Sequence, residues 1–520
     1  IKSRQHDQHN SDNSSSNNKD TKQYLLSEFG GMKKELSARW KNVKEAVNTN
    51  GIIQKMRREC NNKNDNDEAI LPHYSAAAPV EWYQLDYETQ LKLYHNHLSW
   101  NSLMKWEDFD IFEVSKLCQG KPLLFVGWAI LASPYSQIIM EETVTSLSKK
   151  ENNDDDDNSS ENDNMKGYNF LEIYKIPLIC MIDFLRAIED RYLPETSNPY
   201  HNNIHAADVL QTTHSFLEMG SQYQLFDGGA SPPTSAFTLQ MFSLLVGAAI
   251  HDVGHPGYNN AFQSKTLSQI ALTYNDNSIL ENYHTSLAFQ MVLGENAINS
   301  EWNIFKNMIP GEFVECKRFI TEAILDTDMT FHFARYNEIK TLSIPSRNNI
   351  NTGNDNDDDV NSSKDSTNKE MAYSWKVLKF ILHMADISNL AKRQSISNQW
   401  TDCVLEEFFR QGDQEREMGL LPISPLCDRN TTSRADSQMG FISFVIRPSF
   451  EALQRHLPYT TDVILPLIKN NYEFWESQKN TEEEKSNNKN KTKKNDAIKK
   501  DEEKAKKKKN GKFILTPMAA

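Results

Sequence analysis

Cysteine is scarce and dispersed: six residues, at positions 60, 118, 180, 316, 403 and 427, with no CxxC pair. That argues against a thiolate zinc site and a disulfide-stapled scaffold, and fits a reducing, cytosol-facing compartment. Long apolar runs are missing as well. The longest, around Leu123–Ala132, falls well short of the roughly 20 residues a membrane-spanning helix needs. The opening residues are polar and charged, so no secretory leader is expected there. A chain that begins at Ile1 is expected to be a fragment, which leaves membrane tethering through a longer protein open. Apolar residues make up only 38% of the 520, and they are unevenly spread. Gln240–Ile250 is almost wholly apolar or small, whereas Asn152–Asn164 and Asn351–Lys369 hold almost nothing a core could use. A packed domain interrupted by solvated insertions follows.

The net charge of −14 comes largely from these Asp/Asn-rich insertions. Against it stands the Lys-rich stretch Lys489–Lys512. Its lysines are mixed with Glu and Asn, and no aromatics are interleaved for base stacking, so it reads as a disordered solubilising tail and no nucleic-acid partner is expected. Residues 1–20 are polar and of low complexity. In Tyr24–Arg58, Leu25, Phe29, Met32, Leu36 and Trp40 recur at helical spacing. This is either a docking or dimerising helix, which leaves a homodimer open, or a helix packed on the domain. The organisation expected is an N-terminal segment over 1–80, an all-α, compact multi-helix catalytic domain over 81–478, and a tail over 479–520. Helical periodicity is evident in Leu178–Ile188, Ser235–Ile250 and Phe319–Phe333. Insertions at about 147–167 and 346–371 are expected as surface loops.

Histidine is where the chemistry gathers. In Tyr200-His-Asn-Asn-Ile-His-Ala-Ala-Asp208, His201 and His205 stand four apart and would share a helix face. Downstream, Ala249-Ile-His-Asp-Val-Gly-His-Pro-Gly257 ends a strongly apolar helix, so His251 and Asp252 sit at its buried end. A lone His-Asp dipeptide more often belongs to a satisfied core. A third element changes the balance: Leu378, Leu382 and Asp386 follow at i, i+4 and i+8, which puts a carboxylate on an inward apolar stripe. No Arg or Lys lies within the local apolar runs to pair with Asp252. A metal site outweighs structural salt bridges, and two His with two carboxylates suit Zn²⁺. A second, harder cation, Mg²⁺ or Mn²⁺, could share one carboxylate and take waters. His214, nine residues past His205, falls on another face and reads as structural. Asp208 reads equally as a supporting partner or a packing group. Met241 and Phe242 fit core packing.

The segments YHNNIHAADVLQTTH (200–214), HDVGHPG (251–257), YNDNSILENYH (274–284), ILDTDM (324–329), ADISN (385–389), QWTD (399–402), EEFFRQGD (406–413), ISPLCDR (423–429) and SQMGF (437–441) resemble, in order, the class I cyclic-nucleotide phosphodiesterases. The likeness runs over roughly Phe109–Trp475. It implies an all-helical catalytic domain that hydrolyses 3′,5′-cyclic nucleotides, cAMP, cGMP or both, to 5′-monophosphates with zinc and a second metal, usually magnesium. Carried over residue by residue, the zinc ligands are His205, His251, Asp252 and Asp386, with Asp252 shared by the second metal. His255, Glu281 and Thr327 match positions that hold its waters. His201 matches the general acid that protonates the departing 3′ oxygen, here with help from Glu281. Gln438 and Phe441 match the purine clamp, with Asn389, Val404, Phe408 and Leu426 lining the same pocket.

Two positions depart from that pattern. The family's His-Asp-x-Asp-His carries Gly254 in place of the second acid, and Glu-Asn-His-His carries Tyr283 in place of the first His. Neither is an expected metal ligand, so the departures imply altered local support or metal affinity. Two rival readings are a broader HD-type phosphohydrolase, opposed by the purine-clamp block, and a non-catalytic cyclic-nucleotide sensor, opposed by the intact metal set and His201. The choice between cAMP and cGMP stays open, because a glutamine amide can present either face to a base.

Overall fold

A computed structural model describes residues 78–152, 166–222, 235–294, 302–344 and 360–510. The chain divides into two units, Ile1–Pro72 and His73–Ala520. The helix expected over Tyr24–Arg58 lies outside the described residues. Among the described residues every regular element is helical and no strand occurs, which is the all-α architecture the periodicity predicts.

The centre is built from helices with almost no polar face. Helix α1 (Pro122–Leu131) starts on a proline, whose missing N–H costs nothing at a helix start, and every residue in it is buried. Helices α2 (Leu178–Glu189) and α3 (Asn203–Gln222) pack on it, and α4 (Ser235–Ile250) is buried from Phe237 to Ile250. A helix apolar on all sides has to lie inside a domain. Accordingly α4 is packed by α3, by α6 (Pro310–Leu325) and by α7 (Val360–Asp386), with α5 (Ile279–Leu293) alongside. The remaining long elements are α8 (Gln394–Glu417), α9 (Arg434–Phe441) and α10 (Leu465–Asn510). No single described helix is long and apolar enough to cross a membrane; α1 with Tyr135–Thr145 would suffice by length and composition, but the pair bends by 110° and α1 is a core helix.

Three expectations need correction. The run Phe319–Phe333 is not one helix. It breaks after Leu325, where Asp326 is drawn into ion pairs with Arg335 (2.7 Å) and Lys379 (3.0 Å), and Asp328 caps a new turn at Thr330. The loop expected over 346–371 is shorter, because α7 begins at Val360. No glycine or proline follows Gly353 until after Asp386, so nothing halts a helix propagating back from its buried half. Likewise the Lys-rich stretch read as a disordered tail is helical to Asn510. Lys and Glu are good helix formers, and no breaker intervenes between Pro466 and Gly511. The root of α10 is fixed to the domain: Ile468 and Trp475 are buried, and Asn471 Nδ2 donates to the carbonyls of Leu390 (3.0 Å) and Lys392 (2.8 Å).

Candidate active site

Four side chains from three helix ends converge at one point. Asn202 caps α3 by accepting from the Ile204 amide at 2.9 Å, so His205 lies in the first turn and His201 just before it. The two histidines do not share a helix face as expected; the turn before α3 instead brings their rings to 5.8 Å, edge to face. Helix α4 stops at Ile250, and the following turn presents His251 and Asp252. Helix α7 ends on Asp386. His205 Nε2 lies 2.9 Å from Asp386 Oδ1 and 3.6 Å from Asp252 Oδ2. His251 Nε2 lies 3.2 Å from Asp252 Oδ2 and 3.4 Å from Asp386 Oδ1. One donor atom from each of the four falls within 4.8 Å of all the others.

Two imidazoles and two carboxylates drawn this close form a donor set able to hold a cation. His251 Nδ1 donates to the Ala248 carbonyl at 2.9 Å, which turns Nε2 toward two carboxylates, and against the effect of burial their charges raise the ring well above the usual imidazole range. Its Nε2 is buried and has no hydrogen-bond partner. Two carboxylates this close in a buried place need positive charge between them, either a proton on the imidazole or a cation held by its Nε2. Among the described residues the ion-pair partners of Asp252 and Asp386 are all imidazoles. Burial alone would raise both carboxyls, but the adjacent His251, with His201 or His205, outweighs it and holds them below the usual range. The donor set therefore fits a divalent metal, and its nitrogen and oxygen atoms suit zinc.

His201 has a different neighbour from the one expected. Its Nδ1 meets Glu407 Oε1 on α8, and Glu407 Oε2 accepts from the backbone amides of Tyr200 (2.9 Å) and His201 (3.0 Å). Glu281 makes no such contact. It is held by Asn260 Nδ2 at 3.2 and 3.1 Å, and burial, then Asp328 and Asp252, lifts it to about 7. The pairing of His201 with Glu281 is thus replaced by His201 with Glu407. Burial would raise Glu407 and lower His201, but their mutual attraction wins in both, leaving Glu407 at about 2 and His201 at about 9. An ionised carboxylate can only accept, so Nδ1 carries a proton and Nε2–H is free to donate. His255 stacks on His201 at 4.0 Å. Burial, then the His201 charge, pushes His255 well below the normal range, so a neutral ring lies on a charged one.

Sequence reasoning passed over Glu407 and His284. His284 Nδ1 donates to the Val253 carbonyl at 2.9 Å, and its buried Nε2 stands unpartnered 3.6 Å from Asp252 Oδ1. A signal existed for each: Glu407 lies seven residues after Trp400 on the buried face of α8, and His284 closes the block 274–284. Thr327 is buried, with its hydroxyl donating to the Ile324 carbonyl at 2.8 Å. His214 is structural: it is wholly buried, bonded to the Tyr168 hydroxyl at 2.9 Å, and pushed down to about 3 by burial. Asp208 pairs with the buried Lys392 at 3.3 Å, which makes it a packing group. Met241 and Phe242 are core.

The expected purine positions come from adjacent elements. Val404 and Phe408 lie on α8, Gln438 and Phe441 on α9, and Asn389 in the turn Ser388–Ala391 that follows α7. Asn389 Nδ2 donates to the Tyr200 hydroxyl. Gln438 is buried, and its Oε1 lies 3.2 Å from Thr401 Oγ1, which is also 2.9 Å from the Ser397 carbonyl. A single hydroxyl proton cannot serve both. At the other end of the amide, Gln438 Nε2 donates to the Ser437 hydroxyl at 3.3 Å, which in turn donates to the Arg434 carbonyl at 2.8 Å. Leu426 is exposed, with φ +65°, in the connection between α8 and α9.

Comparison with known proteins bears on the chain as a whole. The family model described as 3'5'-cyclic nucleotide phosphodiesterase matches residues 200–467. The dual specificity calcium/calmodulin-dependent 3',5'-cyclic nucleotide phosphodiesterase 1B of Bos taurus is 39% identical over 287 residues, 55% of this chain and 46% of that protein. The chain thus spans less than half the length of that relative. The phosphodiesterase domain of Salpingoeca rosetta rhodopsin phosphodiesterase superposes with a TM-score of 0.50 at 26% identity, covering 62% of this chain and 86% of that one. LmjPDEB1 in complex with IBMX superposes with a TM-score of 0.54 at 22% identity over 78% and 99% of the two chains, a likeness of fold.

Proposed function

Because the chain belongs to the 3'5'-cyclic nucleotide phosphodiesterase family, we propose that it hydrolyses 3′,5′-cyclic nucleotides to nucleoside 5′-monophosphates and so ends a cyclic-nucleotide signal. The observation that carries this reading is the placement of a carboxylate-braced imidazole, His201 with Glu407, beside the four-donor cluster His205, His251, Asp252 and Asp386. An acid next to a divalent-cation site is what cleavage of a phosphodiester needs.

His205, His251, Asp252 and Asp386 would hold Zn²⁺. A second divalent ion, Mg²⁺ or Mn²⁺, would share Asp252 within reach of groups from His255, Glu281 and Thr327. When bound, such ions neutralise charge on the phosphoryl oxygens and make a nearby water more acidic. The chain's own residues supply the rest. Water adds to phosphorus as the P–O3′ bond breaks, and that bond pair goes to O3′. His201 Nε2–H gives its proton to O3′, while Glu407 holds the ring and stabilises its charge beforehand. Glu281, lifted to about 7, is basic enough near neutral pH to take the proton that water gives up. Neutral His255 covers one face of His201 and limits access of bulk water to it. Gln438 and Phe441 would grip the base, with Asn389, Val404, Phe408 and Leu426 around it.

Both cAMP and cGMP are proposed as substrates. The dual specificity in the name of the Bos taurus relative supports this. The test is kcat/KM for each nucleotide on the purified chain, with 5′-monophosphate identified by chromatography, before and after chelation and metal return. No release of 5′-monophosphate from either nucleotide in the metal-loaded protein would refute the proposal.

A further inference from the structure

The two positions at which the chain departs from the family pattern, Gly254 and Tyr283, meet in space. Gly254 has φ +74°, in the left-handed region that glycine enters freely and side chains do not. A Cβ built there would run into Leu287 Cδ2 and lie 3.3 Å from the Tyr283 hydroxyl and 3.5 Å from its ring. Tyr283 and Leu287 are one turn apart on α5, so a single face of that helix closes over Gly254. The next residues along are tied too, through the His284–Val253 hydrogen bond at 2.9 Å. Helix α5 thus grips the turn between Asp252 and His255 at two successive residues, once by a hydrogen bond and once by packing.

We infer that Tyr283, backed by Leu287, is a positioning residue that braces Gly254 and thereby sets the orientation of Asp252 and His255, so that Gly254 and Tyr283 are one coupled replacement. The volume bookkeeping supports this. With a phenol at 283, the space above residue 254 is taken, and an acid there would be overpacked as well as strained. With the shorter imidazole at 283 and glycine at 254, a gap opens beside His284, whose own ring is already unpartnered at Nε2. A shorter imidazole at 283 would relieve the Tyr283 part of that crowding, while the contact with Leu287 and the φ of +74° would stay. Neither residue is placed to touch substrate, so the effect reaches the reaction through the turn.

The inference rests on the proposed function for its kinetic readout, but stability and metal content test it independently. Gly254→Asp, Tyr283→His and the double variant are compared by thermal denaturation, bound divalent metal and cAMP kinetics. Each single change is expected to lower Tm and metal content, with kcat down roughly tenfold at nearly constant KM. The double variant should lose clearly less than the two single losses combined, since contacting residues couple non-additively, although the contact with Leu287 remains. Losses that simply multiply in the double variant overturn the inference. If Gly254→Asp yields no folded protein, Gly254→Ala is measured in the parent and in Leu287→Ala, where the colliding atom is gone. A smaller Tm loss in the second background supports the brace, and an equal loss refutes it. A parent with no hydrolytic activity would sink the proposed function alone, because the Tm and metal cycles would still decide the coupling.

Discussion

Glu407 lies 206 positions downstream of His201, yet one of its carboxylate oxygens holds the His201 ring while the other accepts from the backbone amides of Tyr200 and His201. One buried side chain thereby fixes the ring's tautomer, its charge and the backbone from which it springs. It also ties the start of α3 to the middle of α8, the helix that carries Val404 and Phe408.

Replacing that carboxylate tests the acid role directly. In Glu407→Gln the amide would turn an NH2 group toward donors now satisfied, either the His201 ring or the two backbone amides. His201 would also lose the attraction that, with the Asp252 and Asp386 charges, lifts it to about 9 against burial. The expected result is a kcat lower by roughly 10²-fold, the lower end of what a positioned acid supplies. The sign of the pH effect follows: a lower His201 pKa moves the alkaline limb of the kcat/KM profile to lower pH. An unshifted limb would remove Glu407 from the acid's surroundings.

Asp386→Ala tests the metal centre. The aspartate ends α7 within 3.4 Å of two imidazole nitrogens, and its loss strips the cluster of one of two anionic donors. Bound metal, read by elemental analysis after dialysis, should fall, with affinity down more than about 100-fold, beyond the range typical of a merely supporting residue. Hydrolysis should cease with it. Full metal content with normal turnover would exclude Asp386 from the site.

Much of this site was legible because burial and polarity conflict locally. Asp386 follows Leu378 and Leu382 on one stripe, and His251-Asp252 ends a helix with no polar face, so each announces its oddity within a few residues. Glu407 does not. It follows another acid, Glu406, in a helix rich in charge, and only the long-range packing of α8 on the turn before α3 reveals that one of the pair is buried. Asp208 and Lys392 are similar, since neither predicts its partner 184 positions away. The fold class and α4, which forms over Ser235–Ile250 as its periodicity indicated, were readable for the same local reason. The Lys-rich end of α10 was not, because a polar stretch without breakers is compatible with a helix or with no structure until its root is seen anchored in the domain.

Glu189 gives a stability prediction. It ends α2 buried, accepting from the Leu124 amide of α1 and from Asn203 Nδ2 at the start of α3. Burial, only partly offset by these bonds, pushes it up to about 8 from 4.5. A carboxyl raised in the folded state contributes its full stability below about pH 4.5 and loses it as pH climbs toward about 8. The loss reaches a few kcal/mol at most, at roughly 1.4 kcal/mol per pKa unit. Glu189→Gln cannot ionise. Its unfolding free energy relative to the parent should therefore improve steadily from pH 5 to pH 8 in urea titrations. Parallel curves for the two proteins would show that Glu189 stays charged in the fold.

The last prediction separates acid catalysis from metal binding at two neighbouring histidines. His201 is held by Glu407 and stacked on His255, whereas His205 points its Nε2 at Asp386 and Asp252. His201→Ala should keep its bound metal and bind substrate about as well, with kcat down roughly 10²–10⁴-fold, as for loss of a general acid. His205→Ala should lose metal and activity together. A nitrophenyl phosphodiester needs little protonation of its leaving group, so that substrate should recover much of the rate in His201→Ala and little in His205→Ala. Rescue alone does not decide the matter, because a bulky ester could bind both variants poorly. Metal content measured on the same samples closes that gap. Metal loss from His201→Ala, or equal rescue of both variants, would reverse the two assignments.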